Sequence, residues 1–106
     1  LQMNPFTEDA EPNHWLSCLI LDRECPVTPG QLLARLSEEN IEARYIWKPM
    51  HLQPVFADRD YICAGESSVS EEIFDRGLCL PSDIKMTEEE QDYVIALIRK
   101  LLTEEA

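Results

Sequence analysis

The chain has 106 residues, 44% of them hydrophobic, which is enough for one core that buries roughly two thirds of the surface of the unfolded chain. It carries 21 acidic and 9 basic residues, so its formal net charge is −12. This charge disfavours binding to nucleic acid or to an anionic membrane surface. We expect a single cytoplasmic domain, because the sequence has neither a long apolar run nor a signal-like N-terminus.

The first twelve residues are polar and contain two prolines, which predicts an extended lead-in or linker. Residues 14–22 are almost continuously apolar, which favours a central strand that is covered on both faces. Thr28 and Pro29 then form a helix start, with the hydroxyl as N-cap and proline at the first helical position. A leucine stripe predicts a helix of about a dozen residues that ends at a left-handed Asn40.

Alternating apolar residues over 41–47 predict a second strand, which Pro49 ends. A turn or one short helical turn over 51–56 and a polar loop over 57–69 follow. Ser70 is the expected cap of a short helix that Gly77 stops, and residues 78–81 form a brief strand. Thr87 opens the last helix, which is expected to reach nearly to the end of the chain. About three strands packed with helices predict a small α/β fold.

The four cysteines lack the short spacing of a zinc knuckle, so we expect free thiols and no metal site. None of them lies in a nucleophile motif, and we assign no catalytic residue to this chain. A Schiff-base lysine would have to be one of Lys48, Lys85 and Lys100, and none of these has a suitable sequence context.

The most informative segment contains Arg44, Trp47, Lys48 and His51. No acidic residue occurs from position 43 to position 57, although the chain as a whole is strongly acidic. A local group of cationic and aromatic side chains favours an anionic small ligand with a flat ring or a sugar. Taken alone, His51 fits a hydrogen-bonded turn histidine as well as a ligand contact.

The order of several sequence blocks adds a resemblance to a known family. Asn-His-Trp-Leu-Ser-Cys-Leu-Ile-Leu-Asp at 13–22, Trp-Lys-Pro-Met-His at 47–51 and Gly-Leu-Cys-Leu-Pro-Ser at 77–82 occur in the family's order. From residue 12 onward the chain closely resembles the C-terminal part of the PLP-dependent nucleotide-sugar aminotransferases, the DegT/StrS-like family.

The resemblance implies the small C-terminal domain of a type I, aspartate-aminotransferase-like PLP enzyme. Residues 1–12 would then be a linker from a large domain, and residues 13–106 would be the small domain. It also implies that PLP and its lysine belong mainly to the N-terminal domain, so that this fragment alone is inactive and has no cofactor-binding residue. The family transfers an amino group, usually from glutamate, to a nucleotide-linked keto-sugar. Its members are homodimers, and the products suggest polysaccharide precursors.

Carried over by position, Arg44, Trp47, Lys48 and His51 match the family segment that borders the sugar-nucleotide pocket. The chain departs from the family at Tyr45, where a proline is common, and at residues 83–84, where a small turn is usual.

A different hypothesis is a stand-alone acidic α/β module that binds a ligand or another protein and has no enzyme activity.

Overall fold

The computed structural model describes residues 1–104. Four strands and three helices make up a mixed α/β fold, which confirms the expected class and adds one strand to the three that were expected. In chain order they are β1 (Gln2–Met3), β2 (Ser17–Ile20), α1 (Pro29–Glu38), β3 (Arg44–Tyr45), α2 (Val69–Arg76), β4 (Gly77–Leu80) and α3 (Glu88–Glu104). Two 3-10 turns, Met50–Leu52 and Pro54–Phe56, follow β3 as the sequence predicts.

The strands form one antiparallel sheet in the order β1-β2-β4-β3. β2 is internal, as expected, whereas β3 is an edge strand of only two residues, shorter than the predicted strand over 41–47. The additional strand β1 lies within the predicted lead-in. Asn4 extends its pairing, because its backbone N–H donates to the Cys18 carbonyl and its Oδ1 accepts from the Cys18 N–H, both at 2.8 Å. The lead-in is therefore extended as predicted, but its first residues are hydrogen-bonded to the sheet.

The core lies between one face of the sheet and helices α1 and α3. Because successive residues of a strand point to opposite faces, Leu19 and Leu78 face this core while Cys18 and Cys79 face the other way. The arrangement is a two-layer sandwich at this point. The buried core residues are Leu19, Leu21, Val27, Leu32, Leu36, Leu78, Ile98 and Leu101.

Local capping interactions fix the ends of α1 and the start of α3. Thr28 Oγ1 accepts from the Gln31 N–H at 3.3 Å, and the Gln31 side chain accepts from the Thr28 N–H at 2.8 Å. Asn40 has φ 58°, the left-handed conformation predicted for it. Thr87 and Glu90 form the predicted reciprocal pair, at 2.8 and 3.2 Å. The last two residues of the predicted final helix, 105–106, lie outside the described part.

Helix α2 begins earlier than predicted. Its N-cap is Ser68, whose Oγ accepts from the Glu71 N–H at 3.3 Å, so the assignment of the cap to Ser70 is wrong. Gly77 ends the helix as predicted, but with φ −106° and therefore without a left-handed turn. A Cβ at this position would lie 2.5 Å from the Ile73 carbonyl oxygen and 2.6 Å from Ile46 Cγ1. Glycine is required there by close packing.

Residues 57–68 contain neither helix nor strand, in agreement with the predicted polar loop. In residues 1–104, every helix is too short or too polar to cross a membrane.

Candidate functional site

The 44–51 segment leaves the sheet at its edge. β3 pairs only with β4, through Arg44 opposite Cys79 and Tyr45 opposite Leu78. β3 ends at Tyr45, so the prediction that Pro49 ends the pairing is wrong by four residues, and the buried Pro49 instead precedes the 3-10 turn that starts at Met50. The side chains of this segment are therefore presented beyond the sheet edge rather than within the core.

Two tryptophans meet beside this edge. Trp15 and Trp47 have ring centroids 5.8 Å apart with a 44° angle between the rings. Both remain largely exposed, at 68% and 63% respectively. Together with Arg44 and Tyr45 they line a broad open groove of about 1590 Å³, which we call the edge groove. Each exposed indole ring offers a flat apolar face for a ring of a ligand.

The two cations of the segment differ in their partners. Arg44 Nε donates to Glu42 Oε1 at 3.0 Å, and both side chains are exposed. An exposed ion pair of this kind contributes at most about 1 kcal/mol, so a stronger anion can replace the carboxylate. Within residues 1–104, no carboxylate lies within 4 Å of the Lys48 ammonium. The Lys48 carbonyl accepts from Gln53 Nε2 at 3.2 Å, which fixes the backbone at the start of the turn.

His51 lies apart from the edge groove. Its ring stacks on Tyr61 with a centroid distance of 3.6 Å and an angle of 9°, and its side chain is only 16% exposed. His51 Nε2 is 3.5 Å from Glu71 Oε2, too long for a strong hydrogen bond, and this nitrogen is buried without a hydrogen-bond partner. His51 also lines a smaller groove of about 320 Å³, together with Phe56 and Arg59.

A closed series of contacts holds His51. Tyr61 stacks on His51 and shares a 2.8 Å hydrogen bond between its hydroxyl and Ser68 Oγ. Ser68 caps α2 by accepting from the Glu71 N–H, and the Glu71 carboxylate lies against His51. The His51 imidazole therefore ties the 3-10 turn, the 57–68 loop and the start of α2 together.

The structure brings together only part of the predicted site. Arg44 and Trp47 line the edge groove and Lys48 is next to them in sequence, whereas His51 lines the other groove. The stretch without acidic residues does not remain free of carboxylates in space, because Glu42 reaches Arg44 and Glu71 reaches His51.

Sequence reasoning did not assign Trp15 or Tyr61 to the site. The apolar pattern of residues 14–22 places Trp15 in a buried strand, and this is wrong, because Trp15 precedes β2 and is exposed. Its position beside the polar Asn13 and His14 was the one local signal for this. Tyr61 is a single aromatic residue in a polar loop, and no pattern in the sequence pairs it with His51.

The other potential chemical groups form no metal site in the described part of the chain. No cluster of three or more histidine, cysteine, aspartate or glutamate side chains occurs within residues 1–104. All four cysteines are free.

The chain resembles solved structures of one class of enzyme. The chain overlaps a crystal structure of a DegT DnrJ EryC1 StrS aminotransferase from Brucella abortus with a TM-score of 0.66 and 28% identity, over 81% of this chain and 22% of that one. It also overlaps the structure of Spr1654 from Streptococcus pneumoniae, whose name assigns it provisionally as a sugar aminotransferase, with a TM-score of 0.71 and 16% identity. This overlap covers 86% of this chain and 23% of that one. The fold is therefore that of the small domain of a type I PLP aminotransferase.

The sequence matches agree with this class. The family model for the DegT/DnrJ/EryC1/StrS aminotransferase family matches residues 1–99, and the chain belongs to that family. EpsN of Bacillus subtilis (strain 168), whose name assigns it provisionally as a pyridoxal phosphate-dependent aminotransferase, is 46% identical over 90 residues. GDP-perosamine synthase of Caulobacter vibrioides is 28% identical over 88 residues. The matches cover 84% and 83% of this chain but only 23% of each relative.

The chain's own residues do not fit PLP. Lys85 is the one lysine that lines the edge groove, but it is exposed, whereas a Schiff-base lysine has to be held in an enclosed pocket that favours the neutral amine. The described residues therefore do not provide the cofactor site that the family requires.

Proposed function

We propose that this chain is the C-terminal domain of an aminotransferase that transfers an amino group, from glutamate, to a nucleotide-linked keto-sugar through PLP. The family match supports the reaction class, and the similarity to a GDP-perosamine synthase supports a nucleotide-sugar substrate. The observation that carries the proposal is the 44–51 segment. It leaves the sheet at an edge strand and presents Arg44, Trp47 and Lys48 to solvent, where a substrate can reach them.

Arg44 and Lys48 are proposed to bind the diphosphate of the substrate. A guanidinium binds phosphate oxygens through two parallel hydrogen bonds, and the diphosphate as a whole carries more negative charge than the Glu42 carboxylate that Arg44 contacts in the structure. Lys48 adds a second positive charge. Since no carboxylate lies within 4 Å of its ammonium in residues 1–104, it has no ion pair to break before it binds phosphate. Exchange of Glu42 for phosphate at Arg44 is therefore favourable.

Trp47 is proposed to stack on the base or the sugar of the substrate. Its contact with Trp15 orients the indole before any ligand arrives, which lowers the entropy lost on binding. The groove beside it is open enough for a nucleotide-sized molecule. Trp15 thus acts as a positioning residue for Trp47.

His51 is proposed to border the same substrate from the neighbouring groove. Its Nε2 faces Glu71, so a hydrogen bond to substrate through that atom requires the carboxylate to move. The stack on Tyr61 is independent of the ring nitrogens and holds the loop in either case. Replacement of His51 by phenylalanine separates the two roles.

The remaining parts of the reaction are assigned to other parts of the protein. We place the Schiff-base lysine and most PLP contacts in an N-terminal large domain joined through residues 1–12, and a fragment with only this chain would be inactive. We further propose a cytoplasmic homodimer that acts in polysaccharide precursor synthesis. When PLP is bound there, it supplies the electron sink for amino transfer. The stand-alone module is disfavoured, because nearly the whole chain matches an aminotransferase family.

Steady-state kinetics of the full-length protein test the proposal. Lys48→Ala should raise the KM for the nucleotide sugar about tenfold or more, because a charge-assisted hydrogen bond contributes about 1.5–3 kcal/mol. The PLP absorbance spectrum and the KM for glutamate should stay unchanged. Lys100→Ala is the matched control, since this exposed lysine lies on α3 and pairs with Glu104. Equal kinetics for the two variants would refute the assignment of Lys48.

The His51 variants sharpen the test. His51→Phe keeps an aromatic ring against Tyr61 and removes both nitrogens, whereas His51→Ala removes both properties. A substrate contact predicts that both variants raise the KM for the nucleotide sugar. If only His51→Ala raises it, His51 acts through the loop and not through contact with substrate.

A further inference from the structure

Cys18 and Cys79 are direct neighbours across the two central strands. They are register partners in the β2–β4 pair, and their Sγ atoms are 3.8 Å apart. The backbone N–H and C=O of Cys18 both bond to Asn4 on the β1 side. Both groups of one residue point to the same side of an antiparallel strand, so Cys18 and Cys79 form a non-hydrogen-bonded pair, the type in which side chains approach most closely.

We propose that Cys18 and Cys79 are a thiol pair that closes reversibly to a cross-strand disulfide, a modification site at the wall of the edge groove, which Cys79 also lines. In non-hydrogen-bonded pairs the Cα atoms are about 4.5 Å apart, at the lower end of the range of about 4.4–6.8 Å that disulfides span. A side-chain rotation can bring the two sulfur atoms to bonding distance without moving the strands. The bond is reversible, because an excess of a small thiol reduces it through the same two exchange steps in reverse.

The oxidant in this proposal is a small-molecule disulfide such as oxidised glutathione. The Cys18 thiolate attacks one sulfur of that disulfide, forms a mixed disulfide and releases one small thiol. The Cys79 thiolate then attacks the Cys18 sulfur, forms the Cys18–Cys79 bond and releases the second small thiol. Both cysteine protons end on the released thiols, so two cysteines are oxidised while one small disulfide is reduced.

The surroundings set this order of attack. Cys18 is half-buried, whereas Cys79 is only 7% exposed, so the external disulfide reaches Cys18 more easily. Burial, reinforced by the hydrogen bond with Cys18, raises the pKa of the Cys79 thiol to about 11. Arg44 lies opposite Cys79 on β3, but its guanidinium contacts Glu42. The second step should therefore be the slower one and should accelerate with rising pH.

The test is non-reducing peptide mapping of the full-length protein after incubation with oxidised glutathione at pH 8. The expected product is a linked pair of peptides that contain Cys18 and Cys79, and it should revert on addition of reduced glutathione. Because the bond closes a loop between residues 61 positions apart, the melting temperature of the oxidised domain should rise by about 10 °C or more. Accumulation of a stable Cys18–glutathione adduct, or of no Cys18 product, would overturn the proposal.

Variants exclude the other two thiols. In the Cys25→Ala/Cys63→Ser background the linked pair and the rise in melting temperature should persist, since neither residue belongs to the cross-strand pair. Cys79→Ala should stop the reaction at the mixed disulfide on Cys18. A rise in melting temperature that persists in Cys79→Ala would show that another bond causes it and would refute the assignment.

Discussion

Gly77→Ala tests how tightly the end of α2 packs on the sheet. Ordinary contact begins near 3.4 Å, so an added Cβ would be about 0.9 Å too close to the Ile73 carbonyl oxygen and would also overlap Ile46. The Ile73 oxygen is a backbone atom of α2, so relief requires the helix to shift. Overpacking of this kind costs about 1–3 kcal/mol, and a less flexible unfolded chain offsets about 0.4–1 kcal/mol of it. We expect a net loss of about 1–2 kcal/mol.

Urea unfolding measures this loss. With a slope of about 1–3 kcal/mol per molar for a small domain, the midpoint should fall by roughly 0.5–1 M while the slope stays constant. Gly65→Ala is the matched control, because no atom lies within 4 Å of its added Cβ and its φ is not positive. It should leave the midpoint unchanged or raise it slightly. Equal midpoints for the two variants would refute the close-packing argument.

Two further predictions concern a helix cap and a carboxylate. Thr28→Ala removes the N-cap oxygen of α1 and should lower the free energy of unfolding by about 1 kcal/mol, measured by urea unfolding; no change would contradict the cap. Hydrogen bonding from Arg23, supported by Arg76, lowers the pKa of Glu72 below its ordinary value of 4.5. A depressed pKa stabilises the fold above pH 4.5, and this contribution disappears as the pH falls through the folded-state pKa. Glu72→Gln should therefore lower the melting temperature at pH 7, and the difference from the wild type should shrink below pH 4; a constant difference would contradict this account.

Local rules predicted the elements whose ends depend on neighbouring residues. The caps at Thr28 and Thr87 and the left-handed Asn40 are confirmed, because each depends on contacts within one helical turn. The start of α2 was missed although a local signal favours Ser68. Glu71 stands three residues after Ser68, the spacing of a capping box, whereas Ile73 stands three residues after Ser70. The hydrogen bond between the Tyr61 and Ser68 hydroxyls accompanies the observed cap, and the sequence gives no sign of that contact.

At the candidate site, too, local sequence patterns predicted some features and tertiary contacts decided the others. The residue types at 44–51 predicted a surface for an anionic ligand, and that prediction still awaits a test. Glu42 is a local partner, two residues before Arg44, whereas the other partners come from distant parts of the chain: Trp15 from the segment before β2, Tyr61 from the 57–68 loop and Glu71 from the start of α2. Strand β1 was also unpredictable, because two residues cannot show an alternating pattern. Tertiary pairing decided these features, and no local pattern encodes it.

The most direct test of the substrate assignment is calorimetric titration of the PLP-loaded full-length protein with UDP, GDP and dTDP. We predict that at least one of them binds and that Arg44→Ala/Lys48→Ala weakens its binding tenfold or more. The control pair Arg99→Ala/Lys100→Ala, two exposed cations of α3, should bind as the wild type does. Equal affinity in both double variants, or no binding of any nucleotide, would contradict the assignment of the 44–51 segment to the substrate.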